Sequence, residues 1–394
     1  MTESTREFDL VLFGATGFTG RLVAEHLVAH ARPGLRLGLA GRRKGALEAL
    51  RERLVAAAQP GRVELDVVVA DVTDAASMAQ MAARSRAVLS TVGPFVDYGE
   101  PVVRACVAEG TDYLDSTGER PFVLAMIERY HAAAQERGVR LVFSCGFDCI
   151  PADLGVLYTV EQLPAGRPID ISSFLAFRGS FSGGTERSGL KELAAKPPGD
   201  EAYVLRTAER EARVDKGGMH RAPEVRAWVT PYRDAVDSNI VLRSAMALSR
   251  YGPSFSYTPW VVHTGLSAML LLTAVVATVS RLARVRLLRA LLLKLVKPSG
   301  TGPTPEQRAA GWFRLQLDGR SDAARVSVEV SGGDPGYGAT SIMLGQSALC
   351  LLEDRAELPV CSGVVTTAQA LGNSLIARLQ EHGIHFRVQS RMAS

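Results

Sequence analysis

The chain is poor in cysteine: it has five, an odd number, and none stands in the spacing of a disulfide framework. That suits the reducing cytoplasm rather than a secreted scaffold. Neither charge dominates: 45 Lys and Arg against 41 Asp and Glu leave a formal net charge of +4 over 394 residues. So mild a balance gives no case for a nucleic-acid partner. Charged residues make up 22% and apolar residues 47%, which excludes a disordered chain. Met1 to Glu7 is polar and charged, the apolar run behind it is short, and no secretory signal is expected. Cys145 and Cys149 stand four apart with no second ligand pair nearby, so no metal site is expected. The length allows two domains with sizeable cores.

What is present begins with an apolar run, Leu10 to Phe13, that reads as a buried parallel strand. Gly14-Ala-Thr16-Gly17-Phe18-Thr19-Gly20 follows, and then Arg21 to Val28 has helical spacing. Strand, glycine turn and helix in that order make a phosphate cradle. Gly14 permits the tight turn, Gly17 lets a pyrophosphate approach the backbone, and Gly20 lets helix and strand pack closely. The helix then meets the dianion with its N–H groups and positive dipole end. Thr16, Phe18 and Thr19 complete the candidate cradle. The spacing is GxxGxxG, so context must separate a nucleotide loop from an ordinary strand–turn–helix.

The second strand, Leu35 to Ala40, lacks the acid that would hold ribose hydroxyls. It ends instead in Gly41-Arg42-Arg43-Lys44. Cations at that place favour a 2′-phosphate, hence NADP, because a guanidinium grips phosphate through paired hydrogen bonds. A solvated basic turn is the plainer alternative. A third strand over Val63–Ala70 closes at Asp71-Val72-Thr-Asp74. Asp71 would take the adenine amino group with Val72 beside it, and Asp74 reads as a helix N-cap. A fourth strand, Ala87–Val92, ends at Gly93-Pro94-Phe95, near the expected ribose or nicotinamide. A helix over Pro101–Glu109, a strand Thr111–Asp115, a helix Pro121–Arg137 and a strand Val139–Ser144 follow. Strands alternating with helices through short connections predict a doubly wound parallel sheet.

Cys145-Gly146-Phe-Asp148-Cys-Ile-Pro151-Ala-Asp153-Leu-Gly155 then completes a signature. With Gly14–Gly20, Ser90–Phe95, Asp334–Thr340 and Ser362–Ala370 it resembles the saccharopine dehydrogenase-like oxidoreductases, in their trans-acting enoyl reductase subfamily. Where the family motif often has serines, this chain has Cys149 and Ala152. The likeness spans most of the chain and is weakest from Gly252 to Thr304. It implies a Rossmann-type domain that binds NADP and a second α+β substrate domain on a mixed sheet. It also implies reduction of a carbon–carbon double bond in a lipid-like polyketide intermediate, in partnership with a polyketide synthase. Gly146 would lie near the cofactor, and Tyr98, Asp148 and Tyr337 are the candidate proton donors. A cysteine nucleophile would need a histidine partner. The nearest in sequence, His131, reads as a helix-surface residue, so the cysteine loop is given a structural or cofactor-contacting role.

The second half alternates over Ile169–Phe177 and Ala323–Val330, as strands should. A glycine loop at Gly179–Thr185 leads to a helix over Glu186–Ala195, and Lys196–Lys216 reads as a solvated excursion. Tyr337–Leu352 and Val364–His382 have helical spacing. The resulting division is residues 1–150 for the nucleotide and 151–360 for substrate or dimerisation. Residues 361–394 form a C-terminal helix returning to the first domain. Residues 260–297 form an apolar and then basic insertion without an acid. Three readings are open for it: a buried core or homodimer helix pair, peripheral membrane contact at the inner face, and a membrane span. Two other functions compete with the reductase. One is a non-catalytic NADP-binding module that docks on a membrane or synthase. The other is the C–N chemistry of saccharopine dehydrogenase itself.

Overall fold

The structure is a computed structural model that describes residues 6–59, 61–179, 189–190, 193–194, 203–232, 236–295 and 302–393. The chain opens with strands β1 (Phe8–Phe13), β2 (Leu35–Gly41), β3 (Val63–Val69), β4 (Ser85–Ser90), β5 (Asp112–Asp115) and β6 (Arg140–Val142). Between them run helices α1 (Phe18–His30), α2 (Lys44–Ala57), α3 (Ala75–Ala83), α4 (Phe95–Glu109) and α5 (Arg120–Glu136). Next come α6 (Ile150–Val160), β7 (Ile169–Arg178), β8 (Val204–Arg206), β9 (Glu211–Val214), β10 (His220–Ala222), β11 (Ala227–Pro231) and α7 (Val236–Ala247). They lead to β12 (Ser254–His263), α8 (Leu266–Arg284), α9 (Arg286–Leu295), α10 (Pro305–Ala309), β13 (Trp312–Arg320) and β14 (Ala324–Gly333). The last elements are α11 (Gly338–Glu353), β15 (Gly363–Val365), α12 (Thr367–Ala370), α13 (Gly372–Glu381) and β16 (His385–Ala393). They form two compact units, Met1–Phe147 with Tyr337–His382, and Asp148–Gly336 with Gly383–Ser394.

The first unit holds a parallel sheet in the order β15-β6-β5-β4-β1-β2-β3. Strand β1, flanked by β4 and β2, is buried at every residue, as a strand covered by helices on both faces must be. The order reverses between β1 and β4, and at such a switch point the loops after the two strands part to admit a ligand. The second unit holds a mixed sheet, β10-β11-β12-β7-β13-β14-β16, in which β12 runs parallel to β7 and antiparallel to β11. Helix α6 packs against β13 and β14. It is buried on nearly all sides, so its apolar composition is that of a core helix.

Several elements differ from the expectations. Helix α4 starts at Phe95, not Pro101, and Pro101 lies inside it. The signal for its start is distant: Glu119 accepts the Phe95 and Val96 N–H groups at 3.0 and 2.8 Å. Helix α11, expected in the substrate domain, belongs to the first unit, where it packs on α1 and α13. The helix expected over Val364–His382 is a strand followed by two helices. Val364 and Val365 are fully enclosed, and β-branched residues suit a buried sheet edge as well as a helix. The last residues do not stay with the first unit, because β16 pairs antiparallel with β14. The supposed solvated excursion contains β8 and β9, and β9 pairs with β12. Trp260–His263 ends a sheet strand rather than opening an insertion. The glycine loop from Ser180 and most of the helix expected over Glu186–Ala195 lie outside the described residues.

Of the three readings open for residues 260–297, helix α8 does not fit burial in this chain's own core. Only Met269 and Ala283 of its residues are buried. Leu271 is 68% exposed, and Leu287 and Leu295 of α9 are each 79% exposed. Among the described residues, α8 is the one helix long and apolar enough to cross a membrane, by length and composition.

Candidate functional site

The loop after β1 folds as its glycines require. Gly14 sits at φ +90°, a left-handed conformation that side chains disfavour. A Cβ there would meet the Thr91 hydroxyl at 2.7 Å. The Gly14 and Ala15 N–H groups donate to the Ala40 carbonyl, and Gly17 N–H donates to Gly14. Gly20 is the tightest point, since a Cβ would lie 2.2 Å from the Gly14 carbonyl oxygen. Helix α1 therefore begins flush against the loop. It has no side-chain cap and no acid in its first turn. Its opening N–H groups have no partner inside the helix, which leaves a seat for an anion. Arg21 reaches back to the Thr16 carbonyl at 3.2 Å and adds a cation beside that seat.

One strand along, Arg42 and Arg43 are exposed at the end of β2, and Arg43 is the N-cap residue of α2. Asp71 uses Oδ1 to accept from Thr73 N–H and hydroxyl at 3.0 and 2.9 Å. Those bonds, and then the charge of Arg42, hold its carboxyl below the ordinary range. Arg42 and Asp71 thus lie close together, and Val72 is half-buried in the same turn. Asp74 caps α3 as expected, accepting from Ala76 and Ser77. Gly93 and Pro94, joined by a cis peptide bond, lead into Phe95 at the start of α4. Thr91 ties this second loop to the first by donating its hydroxyl to the Phe13 carbonyl at 3.2 Å.

Sequence reasoning missed the polar layer beneath. Asp115, fully enclosed at the end of β5, accepts from Tyr113 hydroxyl, Thr117 N–H and Ser144 N–H at 2.9–3.0 Å. Burial pushes its carboxyl up to about 7, against those three donors and with the charge of Glu119 adding to the rise. Ser144, two residues past β6, sits at φ +63°, and its hydroxyl is buried with no hydrogen-bond partner among the described residues. A non-glycine residue held there is strained, and such strain gathers at ligand sites. An acid closing a buried parallel strand was the signal available in the sequence. Gly146 lies beside Thr340, whose hydroxyl accepts Phe147 N–H at 3.3 Å. Tyr337 is buried and meets the ring of Phe18 edge-on, with centroids 4.9 Å apart. The fold therefore brings one candidate donor, Tyr337, to the cradle helix. Tyr98 is 42% exposed on α4.

An uncapped helix end, a loop that admits no Cβ at Gly20, and free-standing arginines one strand away fit an NADP pyrophosphate and its 2′-phosphate. Comparison with known proteins agrees. Residues 10–142 match the family model for the saccharopine dehydrogenase NADP binding domain. A provisionally named trans-acting enoyl reductase of Mycobacterium tuberculosis is 36% identical over 431 aligned positions, covering 100% of both chains. The trans-acting enoyl reductase of Mycobacterium ulcerans is 33% identical over 98% of each chain. The chain belongs to the trans-acting enoyl reductase family of saccharopine dehydrogenase-like proteins. This reductase is an NADP-dependent oxidoreductase. Apo saccharopine dehydrogenase (L-Glu forming) from Saccharomyces cerevisiae shares its fold. The TM-score is 0.53 at 12% identity, covering 97% of this chain and 99% of that one.

The remaining candidate of the reductase, Asp148, belongs to the second unit. Part of its surface is open, yet the density of protein around it pushes its carboxyl upward. Its charge reaches Asp237, which burial itself raises to about 7. Cys145 and Cys149 are buried and in no disulfide. His131 is no surface bystander: its Nδ1 accepts the Val364 N–H at 3.1 Å and fixes β15.

Proposed function

We propose that this reductase transfers hydride from NADPH to the β-carbon of an enoyl thioester, an acyl or polyketide intermediate carried by a polyketide synthase. When bound, NADPH supplies the hydride. The chain's residues hold and orient it, and a side chain delivers a proton to the α-carbon, leaving a saturated thioester and NADP⁺. The observation that carries this reading is the uncapped, arginine-flanked start of α1 in a chain that aligns end to end with named enoyl reductases. Of the three candidate acids we favour Asp148, whose carboxyl its surroundings raise. Tyr337 packs on Phe18 and serves the cradle.

The exposed face of α8 and α9 fits the same substrate class. It carries Leu270, Leu271, Leu287, Leu291 and Leu295 in the open, among Arg281, Arg284, Arg289 and Lys294, with no acid. Such a surface lies on an anionic lipid bilayer with its cations at the headgroups.

The test is NADPH consumption, followed by absorbance, against enoyl thioesters of increasing chain length, with sedimentation on anionic and neutral vesicles alongside. Turnover that rises with chain length is expected, with a loss of roughly a hundredfold or more in Asp148→Asn. Tight NADPH binding without turnover at any length would favour the non-catalytic binding module. Equal partition between the two vesicle types, or a doubled mass by light scattering, would replace the lipid surface with another partner for α8 and α9.

A further inference from the structure

We infer that His26, His30 and His382 form a binding site for one divalent transition-metal ion of the zinc class, at the end of α1 remote from the nucleotide. His26 and His30 stand one helical turn apart on α1, with ring centroids 4.4 Å apart. His382, just past α13, meets both rings, at 5.5 and 4.7 Å. One ligand nitrogen from each residue lies within 4.8 Å of the others. A zinc ion with bonds of about 2.0–2.1 Å needs its ligands roughly 3.4 Å apart. A small rotation of the exposed His30 ring and the two half-buried ones closes that gap.

The surroundings are those of ligands held in place. His382 donates Nδ1–H to the Arg378 carbonyl at 2.7 Å, which leaves its Nε2 lone pair for a metal. His26 Nε2 lies 2.9 Å from Gln346 Nε2. Turning that amide over presents its oxygen to Nε2–H and frees Nδ1. Gly345 makes room for the ring, since a Cβ there would stand 2.5 Å from it.

The charges around the site pull both ways. His30 is the last residue of α1 and His382 the C-cap of α13, so two negative helix ends meet there. Arg32 and Arg378 pair with Glu353 and Asp354. Arg62 is the cation acting on His30, with its Nε donating to Ala31 carbonyl. A bound ion would clamp the end of α1 to α13, about 15 Å along the helix from Gly20. Its effect is therefore on the first unit's stability, not on hydride transfer.

The experiment uses the full chain without a histidine tag, stripped by chelator and titrated with zinc chloride in a calorimeter. One equivalent is expected, with submicromolar affinity and a melting temperature that climbs with zinc concentration. Cobalt(II) in place of zinc should give ligand-field absorption bands. His30→Ala and His382→Ala should each weaken binding about thirtyfold or more. NADPH affinity should stay within about twofold, which also verifies folding. No saturable uptake by the unaltered chain, or uptake unchanged in both variants, overturns the site.

Discussion

Two helices begin at the switch point of the first sheet, and they begin differently. Helix α1 opens on Gly17 with no side-chain cap and no acid, and arginines stand nearby. Helix α4 opens on Pro94 with the Glu119 carboxylate folded over its first N–H groups. Both ends carry the same partial positive charge. One is answered by an anion built into the chain. The other has no such acceptor, and we propose that the cofactor's phosphate takes that place.

The strongest way to break this contrast is to block the open end. Gly20→Val would push side-chain carbon into the Gly14 carbonyl and lift α1 off its loop. NADPH affinity by calorimetry should fall by about a thousandfold or more, with a lower melting temperature. A smaller loss is expected when the flanking cations go. Arg42→Ala with Arg43→Ala should weaken NADPH by about ten- to a hundredfold, the loss of one net charged hydrogen bond at ~1.5–3 kcal/mol, while NADH changes little. Equal losses for the two nucleotides would remove the 2′-phosphate from the account. The smallest effect belongs to the closed end. Glu119→Gln should cost about 1–2 kcal/mol in urea unfolding and leave NADPH affinity within about threefold. A drop in affinity like that of the arginine pair would show that the two helix ends are not independent.

The first unit was largely legible because its strands are continuous apolar runs and its punctuation is local. Gly14, Gly20 and Asp74 act on backbone within a few residues, so spacing alone located them. The exceptions were long-range. Glu119 starts a helix 24 residues before it, and Asp115 draws its donors from β5 and β6. Neither contact leaves a pattern in a window of neighbouring residues. The second unit was harder for the same reason. Short strand β9 pairs with β12 some forty residues later and β8 pairs only with β9, so both look like solvated chain until β12 is placed. The stretch from α11 to β16 was read as a set of independent helices. In the fold it leaves the second unit, adds β15 to the first sheet, and ends beside β14.

By itself, the sequence determined the nucleotide cradle, the preference for a 2′-phosphate, the doubly wound sheet and the family, because glycine sterics, charge at a strand end and apolar periodicity are encoded residue by residue. Only the tertiary structure decided that α4 is sealed by Glu119, that α8 and α9 present their leucines outward, and that His382 joins His26 and His30 at one corner. Those facts depend on where separate segments stop against one another. That is a property of packing in three dimensions, and no stretch of chain carries it alone.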